Sequence, residues 1–197
     1  ITPDHLDRHG SMEEYIRVKE LVTKNQGIGD TCVLNYEDEI LREFGKTLNG
    51  VRVLYFSSRQ RVPGSVYLEK DEIVSELSGV RETVARTGVL RILGVHNYEN
   101  AMAAVLASDA LGVPMDVIRR ALKEFQAVEH RIEFVVEKDG VAYYNDSKGT
   151  NPDAAIQGIR AMVRPTVLIG GGYDKGAVYG DWIRAFDGKV KKLILLG

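Results

Sequence analysis

The last third of the sequence alternates short apolar runs with helical segments, and this alternation restricts the fold more than any other feature. From residue 141 onward, strand-like and helix-like stretches follow one another in the order βαβαβ. Such an order predicts an α/β fold with parallel strands and right-handed crossovers. The expected segments are strands 141–145, 166–170 and 192–196 and helices near 152–162 and 179–186. Because three parallel strands leave an open sheet edge, we expect the chain to be part of a larger protein.

The preceding residues predict helices and strands in a mixed order. Ser11 followed by Glu14 predicts a capping box at the start of the first long helix. The pattern changes character in the connector 126–131, which predicts two domains, residues 1–128 and 129–197. The expected elements are helix 12–25, strand 31–35, a helix ended by Gly45, strand 51–56, a hairpin over 66–74 turning at Lys70–Asp71, an extended stretch 79–94, helices 97–111 and 115–125, and a hairpin turning at Asp139–Gly140.

Composition excludes several classes of protein. The 26 Lys and Arg residues against 28 Asp and Glu give a net charge of -2, without the basic face that nucleic-acid binding needs. The single cysteine, Cys32, excludes an internal disulfide framework. No apolar run approaches the roughly 18 residues of a membrane span, and the polar N-terminus is unlike a signal peptide. We therefore expect a globular cytoplasmic protein with no membrane span and no nucleic-acid partner.

One stretch imitates a phosphate-binding loop. Gly45-Lys46-Thr47 matches the end of the pattern G-x-x-x-x-G-K-S/T, but Ile40 occupies the position of the first glycine. The stretch also lies at the end of a predicted helix, whereas a phosphate loop follows a strand and opens a helix. We interpret Gly45 as a helix cap instead. The sequence therefore predicts no triphosphate loop within this chain.

Two features near the N-terminus could bind a divalent metal ion. Residues 4–9, DHLDRH, combine carboxylates with imidazoles, which suit a hard cation shared with phosphate. A polar loop before a helix is the alternative. Lys19 falls on the apolar stripe of the first helix, where its stem could lie along that face with the ammonium in water. Burial could instead neutralise the amine, which CO2 would convert to a magnesium-binding carbamate.

Further stretches carry polar residues suited to a nucleotide. Asn97 and Asn100 share a helix face, where amides could pair with an adenine edge, although Asn97 could simply cap the helix. The loops 145–151 and 170–176 follow predicted parallel strands, where open α/β sheets bind ligands. There Asp146 could hold ribose hydroxyls and cations could meet carboxylate or phosphate oxygens; ordinary turn chemistry is the alternative. The cations are Arg131, Lys148 and Lys175.

Together these stretches resemble the Mur ligase family. The similar segments are TPDHLDRHGSMEEYIRVK, GVHNYENAMAA, EHRIEF, YNDSKGTNPDAA and GGYDKG, in the family's order over nearly the whole chain. The last two are most similar to the members that add D-glutamate. The family has three domains, and the resemblance covers the second half of the central ATPase domain and the first half of the C-terminal domain. It implies an α/β fold in which a partial ATPase domain without its phosphate loop precedes a partial Rossmann-like parallel-sheet domain.

The resemblance implies an ATP-dependent amide ligase of peptidoglycan precursor synthesis. ATP would phosphorylate the terminal carboxylate of UDP-N-acetylmuramoyl-L-alanine, and the amine of D-glutamate would attack the acyl phosphate. Magnesium and cationic side chains would stabilise charge on phosphoryl oxygens. The resemblance implies that the Mg²⁺ ligands are His5 and carbamylated Lys19. It implies nucleotide contacts from Asn97, Asn100, His130 and Arg131, with Asp146 on the ribose, and contacts to D-glutamate or the acyl phosphate from Lys148, Thr150 and Lys175. The catalytic residues among these would be His5, Lys19, Lys148 and Lys175.

Two other functions stay open on sequence grounds. The first is a non-catalytic nucleotide-binding module that uses the Gly-rich C-terminal loops. The second is a folate-type ligase of the same superfamily, which joins glutamates to a pterin carrier, although NDSKGTN and GGYDKG argue against it. Since the sequence contains no phosphate loop, we expect this chain to be inactive by itself, and we expect the parent enzyme to be a monomer.

Overall fold

Two compact units make up the chain in the computed structural model, which describes residues 1–3, 6–173 and 178–196. The first unit comprises Ile1–Arg91 and Asn97–Phe125, and the second comprises Ile92–His96 and Gln126–Gly197. The assignment of residues 1–128 and 129–197 to two family domains stays a prediction. Within the described residues, no helix has the length and apolar character needed to cross a lipid bilayer.

A mixed five-stranded sheet forms the first unit. In chain order its elements are α1 (Leu6–His9), α2 (Met12–Glu20), β1 (Thr31–Asn35), α3 (Glu39–Thr47), β2 (Arg52–Ser57), β3 (Val66–Glu69), β4 (Glu72–Ser75), β5 (Glu82–Arg86), α4 (Val95–Ala110) and α5 (Met115–Glu124). Val95 and His96, the first two residues of α4, belong to the second unit. The strands lie in the order β1-β2-β3-β4-β5, with β1, β2 and β3 parallel and β3, β4 and β5 antiparallel. The hairpin predicted over 66–74 is confirmed as β3–β4. The predicted extended stretch 79–94 contains the strand β5, which a 3₁₀ turn over Thr87–Val89 follows.

Apolar side chains of the central strands and of α4 form the core of this unit. The strand β1 alternates half-buried and buried positions, as a strand with unequal faces does. Met102, Val105 and Leu106 of α4 are fully buried and follow the i, i+3, i+4 spacing of one helix face. The other fully buried apolar residues are Val66, Tyr67, Ile73 and Val74.

The first long helix is shorter than predicted. Ser11 caps α2 by accepting the Glu14 N–H at 3.2 Å, and the Glu14 carboxylate pairs with Arg17, so half of the predicted capping box forms. The helix α2 ends at Glu20, and a 3₁₀ turn covers Leu21–Thr23. The β-branched residues of this turn have low helix propensity, and the Thr23 hydroxyl donates to the Glu20 carbonyl at 3.0 Å. Local side-chain chemistry therefore stops the helix before residue 25.

Gly45 lies inside α3, so the prediction that it caps the helix is wrong. A Cβ placed on Gly45 would lie 2.2 Å from Tyr55 Oη and 3.1 Å from Leu34 Cδ1. Glycine therefore permits close approach of α3 to β1 and β2, although glycine in a helix interior costs roughly 0.5–1 kcal/mol relative to alanine. The rejection of Gly45-Lys46-Thr47 as a phosphate loop is confirmed, because the stretch lies within a helix.

The second unit contains a hairpin and a separate parallel pair of strands. Its elements are β6 (Glu133–Lys138), β7 (Val141–Asn145), α6 (Pro152–Ala161), β8 (Thr166–Gly171), α7 (Gly180–Arg184) and β9 (Val190–Leu196). The predicted β6–β7 hairpin is confirmed, and both turn residues, Asp139 and Gly140, have positive φ (52° and 76°), as a type I′ turn requires. The strands β8 and β9 are parallel, as predicted.

The prediction that β7 is one of three parallel strands is wrong. In the part of the chain that the structure describes, β7 pairs with β6 and not with β8. The alternation of strands and helices in a sequence indicates their direction, but it does not say which strands are neighbours. A two-residue turn closes a short loop, which costs little entropy, and so favours local antiparallel pairing of β7.

Candidate active site

Lys19 lies on α2 beside two aromatic rings. Its Nζ is 5.3 Å from the centroid of the Tyr15 ring, within the range of a cation–π contact. The ring of His9 is 5.2 Å from the same ring, and Tyr15 is buried whereas Lys19 is exposed. A cavity of about 580 Å³ is lined by Arg8, His9, Tyr15, Val18, Lys19, Leu21 and Val22. Cationic and titratable side chains therefore share one cavity, and carbamylation of Lys19 stays a prediction.

The described residues do not complete a magnesium site. Over residues 1–3, 6–173 and 178–196, no group of three or more His, Cys, Asp or Glu side chains could hold a metal ion. His5 and Lys175 lie outside the described residues. Of the two predicted ligands only Lys19 is described, and one lysine does not supply the octahedral oxygen coordination of Mg²⁺. The magnesium site stays a prediction.

Asn97 and Asn100 lie on one face at the start of α4. Because α4 begins at Val95, Asn97 lies inside the first turn, and the alternative that it caps the helix is wrong. Asn97 is buried, and its Oδ1 accepts a hydrogen bond from Asn100 Nδ2 at 3.4 Å. Asn100 is exposed. One helical turn therefore presents an amide pair, with both donors and acceptors, of the kind predicted for an adenine edge.

Sequence reasoning missed two hydroxyl–carboxylate pairs in the first unit. The Ser58 hydroxyl donates to Glu99, one of the residues between the two asparagines, at 2.5 Å. The buried Ser57 hydroxyl donates to Glu37 at 2.5 Å. Glu37 and both serines lie at or just beyond the carboxyl ends of β1 and β2, where open α/β sheets bind ligands. The position of these residues after the two predicted strands 31–35 and 51–56 was the signal that could have identified them.

In the second unit, hydrogen bonds join the segment 130–132 to the loop after β7. The Ile132 N–H donates to Asp146 Oδ1 at 3.1 Å, and the Lys148 N–H donates to the His130 carbonyl at 2.9 Å. His130 and Ile132 both have positive φ (66° and 47°), a conformation that non-glycine residues rarely adopt and that clusters at functional sites. The buried Ile132 side chain anchors this backbone. The structure thus brings His130, Arg131, Asp146 and Lys148 into one region.

Asp146 and His96 influence each other electrostatically. Burial raises the pKa of the Asp146 carboxyl group, while the Ile132 N–H, His96 and Arg131 lower it by stabilising the carboxylate. Burial lowers the pKa of the His96 imidazole, and Asp146 acts in the opposite direction. Sequence analysis included His96 only within the similar segment GVHNYENAMAA and gave it no role in the site. Its position directly before Asn97 was the available signal.

Exposed polar side chains surround the start of α6. Lys148 and Thr150 are exposed, as are His130 and Arg131. The loop is a tight turn, in which the Gly149 N–H donates to the Asp146 carbonyl at 2.8 Å. The helix itself begins at the Asn151 cap. A helix N-terminus favours anions, so a carboxylate or phosphate group would find a lysine, a hydroxyl and backbone N–H groups here.

A family model described as the Mur ligase middle domain matches residues 1–108, which is more than half of the chain. The chain belongs to the Mur ligase family. Curated relatives named UDP-N-acetylmuramoylalanine--D-glutamate ligase are 53% identical in Lachnoclostridium phytofermentans and 43% identical in Clostridioides difficile. Each alignment covers 100% of this Mur ligase chain and 43% of the relative. The chain therefore spans less than half the length of these relatives.

Solved structures show the same fold as this Mur ligase chain. MurF from Acinetobacter baumannii has a TM-score of 0.73 at 20% identity, over 100% of this chain and 45% of that one. A MurF ligase from Thermotoga maritima in complex with ADP has a TM-score of 0.66 at 18% identity, over 97% and 49%. At these identities the likeness shows the fold alone. The predicted α/β fold with parallel strands is confirmed.

Proposed function

We propose that this Mur ligase chain contributes to a monomeric, cytoplasmic, ATP-dependent ligase that adds D-glutamate to UDP-N-acetylmuramoyl-L-alanine in peptidoglycan precursor synthesis. The observation that carries the proposal is identity of 53% and 43%, over every residue of the chain, to relatives named for D-glutamate ligation. The polar residues of each unit support it, because they supply amide, carboxylate and cationic groups of the kinds that these substrates require.

Amide and carboxylate groups are assigned to the nucleotide. Asn100 and Asn97 pair with the adenine edge, since one helical turn presents both amides on one face. Asp146 accepts ribose hydroxyls. A carboxylate offers about four lone-pair sites, and the Ile132 N–H occupies one of them, so acceptor capacity remains. Arg131 acts on the same carboxylate and reduces the repulsion between it and the phosphates, and His130 contacts the nucleotide.

Cationic groups are assigned to the two chemical steps. First, a carboxylate oxygen of the alanyl substrate attacks the γ-phosphorus of ATP, the acyl phosphate forms and ADP leaves. Second, the amine nitrogen of D-glutamate attacks the acyl carbon, phosphate leaves and the nitrogen loses a proton. Negative charge grows on phosphoryl and then carbonyl oxygens, and we assign its stabilisation to Lys148 together with Lys175. The Thr150 hydroxyl and the start of α6 bind D-glutamate carboxylates.

Magnesium, when bound, would neutralise charge on the phosphoryl oxygens. Its proposed ligands are His5 and the carbamate of Lys19. A carbamate would require the Lys19 nitrogen to lose a proton and to give up its cation–π contact with Tyr15, because the adduct replaces a positive charge with a negative one. The described residues do not complete this site, so no catalytic step is assigned to it.

The proposal is tested by exchanging this chain for the matching segment of the Lachnoclostridium phytofermentans ligase. We expect the chimera to release phosphate from ATP only when UDP-N-acetylmuramoyl-L-alanine and D-glutamate are both present. L-Glutamate should not replace D-glutamate. The isolated 197-residue chain, assayed in parallel, should release no phosphate, because its sequence contains no triphosphate loop.

Two outcomes of this exchange would contradict the proposal. A chimera that unfolds cooperatively on heating, and is therefore folded, but gives no turnover with D-glutamate would refute it. Glutamate addition to a folate acceptor, without addition to the UDP-linked substrate, would favour the folate-type ligase instead.

A further inference from the structure

The imidazole of His96 is held in a fixed place within the second unit. His96 ends the segment Ile92–His96, and Gly94 in this segment has a φ of +91°. A Cβ on Gly94 would lie 2.8 Å from His96 Cε1 and 2.9 Å from the Cβ of Ala161 on α6. The imidazole therefore packs directly against the Gly94 backbone, which α6 supports from another direction. A side chain at residue 94 would displace it.

Three charged groups from three parts of the unit act on this imidazole. Asp146 comes from the loop after β7, Asp153 from the first turn of α6, and Arg131 from the connector before β6. The two carboxylates favour the protonated imidazole, and Arg131 opposes it. His96 and Arg131 in turn favour the ionised form of Asp146. Both groups also lie beside α6, because a Cβ on Gly158, one turn before Ala161, would lie 2.5 Å from Asp146 Oδ2. Since His96 and Asp146 are both half-buried, water screens their interaction less than it would on the surface.

We propose that His96 is a positioning residue for nucleotide binding: its imidazole, fixed on Gly94, keeps the Asp146 carboxylate ionised and available to ribose hydroxyls. This inference rests on the proposed function, because it takes Asp146 as the ribose ligand. Arg131 is exposed and permanently charged, whereas His96 is half-buried and changes its charge in the acidic range. His96 therefore becomes positively charged at acidic pH and protects the Asp146 carboxylate against protonation there.

The first experiment measures the effect of His96 on the ionisation of Asp146 in the absence of nucleotide. Carboxyl ¹³C NMR of the full chain follows the titration of Asp146 in wild type and in His96→Gln. Glutamine keeps hydrogen-bonding capacity but cannot gain a proton, so the Asp146 titration should move to higher pH. His130→Gln removes an exposed imidazole from the same unit and should leave the titration unchanged. An Asp146 titration that is the same in His96→Gln and wild type would overturn the inference. His96→Asn repeats the test if the first variant does not fold.

The second experiment measures the ADP affinity of the chimera that carries this chain, by calorimetric titration at about pH 5.5 and about pH 7.5. In His96→Gln the loss of affinity on acidification should exceed the wild-type loss by about threefold, because the carboxylate is neutralised earlier. A purely structural role would weaken binding equally at both pH values and would refute the inference. In an Asp146→Asn background, His96→Gln should cause no further pH-dependent loss.

The two experiments separate the inference from the proposed function. If ADP binds the chimera equally well with Asp146→Asn and with the wild-type residue, the assignment of Asp146 to the nucleotide fails. The NMR titration still reports whether His96 controls the charge of Asp146, because it contains no nucleotide.

Discussion

The two units bury their apolar residues to very different degrees. In the first, large side chains of β3, β4 and α4 are fully buried, whereas in the second, apolar side chains of all four strands are largely exposed. Because burial of apolar surface is the main favourable term in folding, the first unit contains most of the stabilising core. The second contains the connector with positive φ at His130 and Ile132, the half-buried Asp146 and His96, and the exposed cations. Stability and the proposed chemistry therefore depend on different residues.

The largest expected effect tests this difference with a matched pair of leucines. Leu106 in α4 is 0% exposed, and Leu195 in β9 is 68% exposed. Leu106→Ala leaves a cavity in the core and should lower the free energy of unfolding by about 2–5 kcal/mol. Leu195→Ala should change it by less than about 0.5 kcal/mol. Urea unfolding followed by far-UV circular dichroism gives both values, and equal losses would contradict the assignment of the core to the first unit.

Loss of Lys148 should reduce turnover without reducing the stability of the fold. In the active chimera, Lys148→Ala should lower turnover by about 100-fold, because a cation that stabilises developing negative charge is removed. Lys138→Ala removes another exposed lysine, at the end of β6, and should leave turnover unchanged. Neither substitution should change the unfolding free energy by more than about 0.5 kcal/mol. Equal activity of the two variants would remove Lys148 from the proposed mechanism.

Sequence reasoning identified local structure better than contacts between distant residues. The hairpins β3–β4 and β6–β7 were predictable, because turn residues such as Asp139 and Gly140 act over a few positions. The partner of β7 was not, because strand order depends on packing across the sheet. The role of Gly45 was also missed, since it depends on Tyr55, which lies ten residues away on a neighbouring strand.

The candidate site shows the same limit. The shared face of Asn97 and Asn100 follows from helical spacing alone. The hydrogen bond from Ile132 to Asp146 and the influence of His96 do not, because they join segments that are 14 and 50 residues apart in the sequence. A sequence motif can therefore indicate which residues act, but not the distant groups that set their charge and orientation.

A third, intermediate effect concerns packing inside the first unit. Gly45→Ala should lower the free energy of unfolding by about 1–3 kcal/mol, because the added methyl group overlaps the Tyr55 hydroxyl. Tyr55→Phe removes that hydroxyl, so the double variant should recover part of the loss. Gly88→Ala is the control, since a Cβ there has no neighbour within 4 Å. A Gly45→Ala variant as stable as wild type would show that α3 does not depend on this close approach.

The smallest expected effect depends on pH and concerns a buried carboxylate of the first unit. Glu76 accepts hydrogen bonds from Arg61 Nε and from the Tyr67 hydroxyl, each at 2.8 Å. The Arg61 contact, followed by the Tyr67 contact, holds the pKa of Glu76 below its ordinary value of 4.5. A depressed folded-state pKa adds stability that is present above the unfolded value and is lost as pH falls through the folded one.

Glu76→Gln should therefore be less stable than wild type at neutral pH, and the difference should narrow as pH falls below about 4.5. The neutral-pH effect should be modest, because the glutamine carbonyl can still accept the Tyr67 hydroxyl hydrogen bond. Urea midpoints between neutral and acidic pH measure the difference. Glu14→Gln breaks the exposed pair with Arg17 and should give a smaller change, because water screens that pair. A difference for Glu76→Gln that widens toward acid would contradict the stabilising role of the ionised carboxylate.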